Sequence, residues 1–68
     1  MDLDLFDFEM NKAGYKTAKE RADAIGITES QYYSRTNRKG KRTEFTLPEM
    51  QKVSELLGTD IASAIFLA

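Results

Sequence analysis

TAKERADAIGITESQYYSR, residues 17–35, is the stretch whose reading decides the fold. Thr17 with Glu20 three residues on is a capping box, in which the hydroxyl accepts from a free backbone N–H and the carboxylate reaches back to the cap. The helix that follows, about residues 18–25, places Ala18, Ala22 and Ile25 on one side, and Gly26 stops it. Thr28 with Gln31 repeats the box, so another helix starts almost at once and runs to about Thr36 or Asn37. Only Gly26 and Ile27 separate the two helices. A short turn containing glycine reverses the chain tightly enough for a helix-turn-helix. The neighbouring residues agree with that reading. Ala22 is small where the helices have to touch, Gly26 stands where a left-handed residue is required, Ile25 and Ile27 point to the core, and Tyr32 faces inward.

Working outward, Leu3, Phe6, Met10 and Ala13 form one stripe of a first helix, with Gly14 just past its end. Leu5 and Phe8 lie off that stripe; either they flank the core or they form a small exposed patch. Asp2 and Asp4 suit the positive end of this helix. After residue 37 comes RKGKRTEF, a connector with no apolar residue before Phe45. TLPE then gives a third capping box, from Thr46 to Glu49, with Pro48 in the first turn. Met50, Val53, Leu56 and Leu57 are the buried face of a fourth helix, and Gly58 ends it. Thr59 or Asp60 caps a short last helix with Ile61, Ile65 and Phe66 inward. No strand alternation and no repeat is present. The chain reads as an all-α bundle of five short helices, none stable alone, packed as a single helix-turn-helix domain over residues 1–68.

Sixty-eight residues hold one small core. With no cysteine, neither a disulfide framework nor a thiolate metal site supports it. No apolar run approaches the roughly 18–20 residues that span a bilayer, and the acidic MDLDLFDFEM is wrong for a signal peptide, so a cytoplasmic domain is expected. Catalysis is not. The chain lacks His and Cys, shows no carboxylate pair in an apolar setting, and has neither a phosphate-cradling glycine loop nor calcium-loop spacing. No cofactor or metal is called for. The net charge of −1 conceals a segregation. Acids alone occupy the chain up to Asn11, bases dominate from Lys12 to Thr43, and acids dominate again after Glu44. A basic middle beside a polar helix points to nucleic acid.

AGYKTAKERADAIGITES and EFTLPEMQKVSELLG together resemble the Cro/repressor-type, XRE-like helix-turn-helix domains of temperate phages and their bacterial relatives. Such domains are compact lambda-repressor-like bundles of five helices. They bind double-stranded operator DNA, often as dimers, with the third helix in the major groove. The resemblance implies a small Cro-like or repression-modulating protein of a lysogeny switch in a bacterial host cell. It assigns Thr28, Glu29, Ser30, Tyr33, Ser34 and Asn37 to the groove. Chemistry suits each one: Glu29 to a cytosine N4 amine, Asn37 to an adenine edge or a phosphate, Thr28 and Ser30 to phosphate at a helix N-terminus, and Tyr33 to backbone or a thymine methyl. Arg38, Lys39, Lys41 and Arg42 are the expected phosphate clamps, each releasing about one counterion.

The chain departs from the family at three positions. Ala18 replaces a glutamine that usually anchors the second helix on phosphate. Arg21 and Arg35 replace buried aliphatics and have to snorkel outward or find carboxylates, with Asp4, Asp7 or Glu20 as the candidates. Two functions are therefore in play. One is a transcription regulator that reads operator DNA and dimerises weakly through Ile61, Ile65, Phe66 and Leu67 on half-sites about one turn apart. The other is an antirepressor, in which protein–protein interaction with the DNA-binding domain of a partner phage repressor uses the acids.

Overall fold

Three capping boxes and three glycines punctuate the chain. The computed structural model describes residues 1–68 and contains five α-helices: α1 (Leu3–Lys12), α2 (Ala18–Ile25), α3 (Glu29–Thr36), α4 (Leu47–Leu57) and α5 (Thr59–Phe66). The fold class is all-α, as read from the sequence. Thr17, Thr28 and Thr46 each accept from the backbone N–H three residues on, and Glu20, Gln31 and Glu49 each return a bond to the cap. Asp2 caps α1 by accepting from the Leu5 N–H at 3.0 Å. Past α1, the Gly14 N–H donates to Asn11 O and the Tyr15 N–H to Met10 O, a turn that requires the positive φ of 99° at Gly14. Gly26, at φ 89°, closes α2 in a related way, with the Ile27 N–H returning to Ala22 O at 3.0 Å.

Two local expectations fail. Ala13 is exposed: α1 ends at Lys12, so the residue at i+10 belongs to the turning cap and has left the buried stripe. Neither Thr59 nor Asp60 caps α5. Gly58 takes both terminal roles, its N–H closing α4 on Ser54 O at 2.8 Å and its C=O opening α5 on the Ala62 N–H at 3.0 Å, with no side-chain cap. With one residue between two helices there is no room for a separate cap, and φ 97° suits glycine alone.

Packing follows the apolar faces. α4 packs on α5 and α2, α2 on α3, and α1 on α5. Nine buried apolar side chains form one cluster, from Phe6 and Met10 of α1 through Ala22, Ile25 and Tyr32 to Val53, Ala62 and Ile65. The ninth is Phe45, in the connector between α3 and α4. Its ring lies 5.8 Å from Phe6 and 5.4 Å from Phe66, edge-on to the latter, and Phe6 in turn lies 6.4 Å from Tyr32. The connector is thus nailed to the core at one end, and the bond from the Thr43 N–H to Ser34 O at 3.0 Å holds it to α3. The two termini meet: the Asp2 N–H donates to Ile65 O at 2.8 Å. The Cα radius of gyration is 10.7 Å, close to the roughly 11 Å of a well-packed chain this long. No helix is long and apolar enough to cross a membrane.

The four residues expected to mediate dimerisation do not share an exposed face. Ile65 is fully buried, Ile61 and Phe66 are half-buried against the core, and only Leu67 is open to solvent. α5 has so little length that its inward face is consumed by α1 and α4.

Arg35 does not snorkel. Its side chain is only 10% exposed and meets Glu49, 11% exposed, in a two-pronged pair: Nε to Oε1 at 2.8 Å and Nη2 to Oε2 at 3.1 Å. None of the three carboxylates proposed for it is the partner, because α3 turns this residue toward the start of α4. Glu49 also closes the Thr46 capping box, so one carboxylate joins the end of α3 to the beginning of α4. The guanidinium fork, helped by the Thr46 N–H, holds the Glu49 carboxyl below the usual carboxylate range. A carboxyl depressed in the fold stabilises fully above its unfolded-state range, and that contribution is lost as pH falls through its folded value. Glu49→Gln keeps the cap but leaves the guanidinium without a counter-charge, and is expected to cost about 2–3 kcal/mol in urea unfolding at neutral pH. Arg35→Leu combined with Glu49→Gln should recover most of that loss. The double variant should also lose less stability than the natural chain as pH drops into the acid range.

Candidate nucleic-acid interface

α3 has two contrasting sides. Tyr32 and Arg35 point inward, and the opposite side is polar and open. Glu29, Ser30, Tyr33, Ser34, Thr36 and Asn37 line a shallow concave strip along it. The recurrence at intervals of three and four residues is that of one helix face. Five of the six residues assigned to the groove are in this strip; the sixth, Thr28, is the exposed N-cap immediately before it. Thr36 was not anticipated, although its place seven residues after Glu29 puts it on the same face.

The groups on offer differ in how free they are. Thr28 Oγ1 already accepts from the Gln31 N–H at 3.0 Å, which leaves its hydroxyl hydrogen available. Asn37 Oδ1 accepts from the Lys39 N–H at 2.9 Å, so its unengaged group is the amide NH2, a donor. Tyr33 is 59% exposed, its ring edge-on to Tyr32 at 6.1 Å. Glu29 is the one acid of the strip and makes no ion pair.

Arg21 sets where α3 sits. It is 12% exposed and donates from Nη1 to Asp7 Oδ1 at 3.0 Å and to the Tyr32 hydroxyl at 3.2 Å, from Nε to Tyr15 O at 2.7 Å, and from Nη2 to Asp7 O at 3.4 Å. Of the three carboxylates proposed for this arginine, Asp7 is the partner. Glu20 is committed to its capping box, where the Thr17 backbone N–H holds it below the usual carboxylate range. Burial pushes the Tyr32 phenol up, and Arg21 partly offsets this. No buried side-chain nitrogen or oxygen lacks a partner.

The four cations after α3 divide into two kinds. Arg38 is held by the acids of α1, with Nη1 on Asp4 Oδ1 at 3.0 Å and Nη2 on Asp7 Oδ2 at 2.8 Å. Lys39 and Lys41 are exposed, Arg42 is half-buried, and none of the three makes an ion pair. Asp4, expected beside Arg21 or Arg35, instead meets Arg38. Elsewhere on α1, Leu5 flanks the core and Phe8 is exposed, with the Lys12 ammonium 5.2 Å above its ring.

No known family's sequence profile matches the chain, and neither a curated protein nor a solved structure shows significant similarity to it. Asp7 serves a half-buried arginine, Arg21, and an exposed one, whereas Asp4 serves only the exposed one. Asp7→Ala is accordingly expected to cost about 1–3 kcal/mol and Asp4→Ala less than about 0.5 kcal/mol, read from thermal or urea unfolding.

Proposed function

We propose that this protein is a non-catalytic, helix-turn-helix transcription regulator of the Cro/repressor type that acts in the bacterial cytoplasm. In this reading α2, the Gly26–Ile27 turn and α3 are the motif, and α3 enters the major groove of operator DNA. One observation carries it: the polar strip of α3 is unobstructed, and three unpaired cations, Lys39, Lys41 and Arg42, follow it directly. Strip and cations divide the work as DNA readers do, with base edges read by side chains of the helix and phosphates held by the loop. Glu29 accepts from a cytosine amine, and Tyr33 lays its ring on a thymine methyl. Ser30, Ser34 and the Thr28 hydroxyl donate to backbone. Because Asn37 Oδ1 is engaged, its free NH2 suits a phosphate oxygen better than the two-pronged pairing an adenine edge requires. With Ala18 in place of the family's glutamine, the grip on phosphate shifts from α2 to the loop.

A second reading, an antirepressor that binds a repressor's DNA-binding domain, is favoured by the arginine geometry on α1. There Asp4 and Asp7 already receive one guanidinium on two carboxylates, which is how they would meet an arginine of a DNA-binding surface. Association with a Cro/repressor-type DNA-binding domain, in the absence of any operator affinity, would favour it.

Selection from random duplex DNA by the purified chain separates the two. Enrichment of a defined sequence motif is expected for a direct reader; no enrichment at low salt sinks the first reading. Lys39→Ala with Lys41→Ala should weaken binding to every sequence alike and flatten the slope of log K against log salt by about 1.8, two phosphate contacts' worth. An unchanged slope removes both lysines from the interface.

A further inference from the structure

Arg38 is the first cation after α3, and it is the only one of the four beyond that helix that is already occupied. Its two partners are not equivalent. Asp7 is fixed independently, because its other oxygen belongs to Arg21. The Asp4 side chain is 90% exposed, and its one tertiary bond is to Arg38. Asp4 and Arg38, with Arg42 beside them, line an open cleft that also includes Asp2 and the meeting chain ends at Met1 and Ala68. Both members of the Asp4–Arg38 pair are hydrated, so it opens at little cost, unlike the enclosed pair Arg35–Glu49.

We propose that Asp4 is an internal competitor for Arg38: its carboxylate occupies the guanidinium in the free protein and is displaced by a backbone phosphate when duplex DNA docks. This rests on the DNA-binding reading above. A carboxylate pair on a guanidinium presents oxygens much as a phosphate does, so one arginine serves both ligands in turn. The exchange has two consequences. Because the ion pair given up is an exposed one, the latch lowers affinity for duplex of any sequence by a small and uniform factor. When the latch opens, Asp4 is left exposed at the N-terminus of α1, where the helix dipole and water both favour its charge. Arg42, across the same cleft and without an acid of its own, receives the neighbouring oxygen.

The test measures affinity for a random-sequence duplex of about 20 base pairs at low salt, for the natural chain, Asp4→Ala, and a charge-matched control, Glu55→Ala. Glu55 is exposed on α4 and makes no ion pair. Circular dichroism and a thermal melt establish that the variants remain folded. Asp4→Ala is expected to bind roughly two- to fivefold more tightly than the control, the range in which an exposed ion pair acts. In an Arg38→Ala background the advantage of Asp4→Ala over Glu55→Ala should vanish. Equal affinities of the two variants in the natural background would overturn the latch while leaving DNA binding intact. So would an advantage that survives removal of Arg38. If neither the natural chain nor Asp4→Ala binds duplex, the DNA-binding reading itself fails, and the latch fails with it.

Discussion

The guanidinium of Arg21 is the interaction on which the junction of the first three helices depends. It sits on α2 and reaches the Asp7 carboxylate and carbonyl on α1, the Tyr15 carbonyl between α1 and α2, and the Tyr32 hydroxyl on α3. An aliphatic side chain in that place could press the helices together but could not orient them. Four directed bonds do, at the expense of a desolvated charge that each acceptor helps to offset. Because Tyr32 is pinned at its hydroxyl and its ring faces Phe6, the roll of α3 about its own axis is set. That roll decides which residues of α3 look outward.

The second arginine completes the constraint at the other end of the helix. Arg35 grips Glu49 at the start of α4, while Phe45 enters the core one residue before the Thr46 cap. Between these anchors the connector has little freedom to drift from α3, although Lys39, Lys41 and Arg42 lie in no regular structure, and Arg42 lines the cleft at the start of α1. Two arginine–carboxylate pairs, one enclosed and one half-open on its acid, thus do work that a larger domain would assign to additional apolar surface. In a chain of 68 residues, with limited core volume, directional polar bonds are an economical way to define orientation.

The local signals in the sequence were strong because they act over three or four residues. Three threonine boxes, the Asp2 cap and the glycines at 14, 26 and 58 mark helix ends through backbone bonds that need no distant partner. The outward face of α3 was legible for the same reason: once Tyr32 is inward, helical spacing sends Glu29, Ser30, Tyr33, Ser34 and Asn37 elsewhere. What failed locally did so at boundaries, where Ala13 fell outside its helix and Gly58 served two helices at once.

The sequence by itself determined five helices, the caps of α2, α3 and α4, the two-residue turn between α2 and α3, and the polar composition of α3 and its basic loop. Each follows from side chains and backbone groups within a few residues of one another. Only the tertiary structure decided the partners of charges distant in sequence: Arg21 with Asp7, Arg35 with Glu49, and Arg38 with Asp4 and Asp7. It also decided that Phe45 is core and that Ile65 has no face left for a second chain. Charge type and helical period narrow such pairings to several carboxylates each. The choice among them is made by the tertiary arrangement, which brings Asp7 to Arg21, Glu49 to Arg35, and both Asp4 and Asp7 to Arg38, each within about 3 Å.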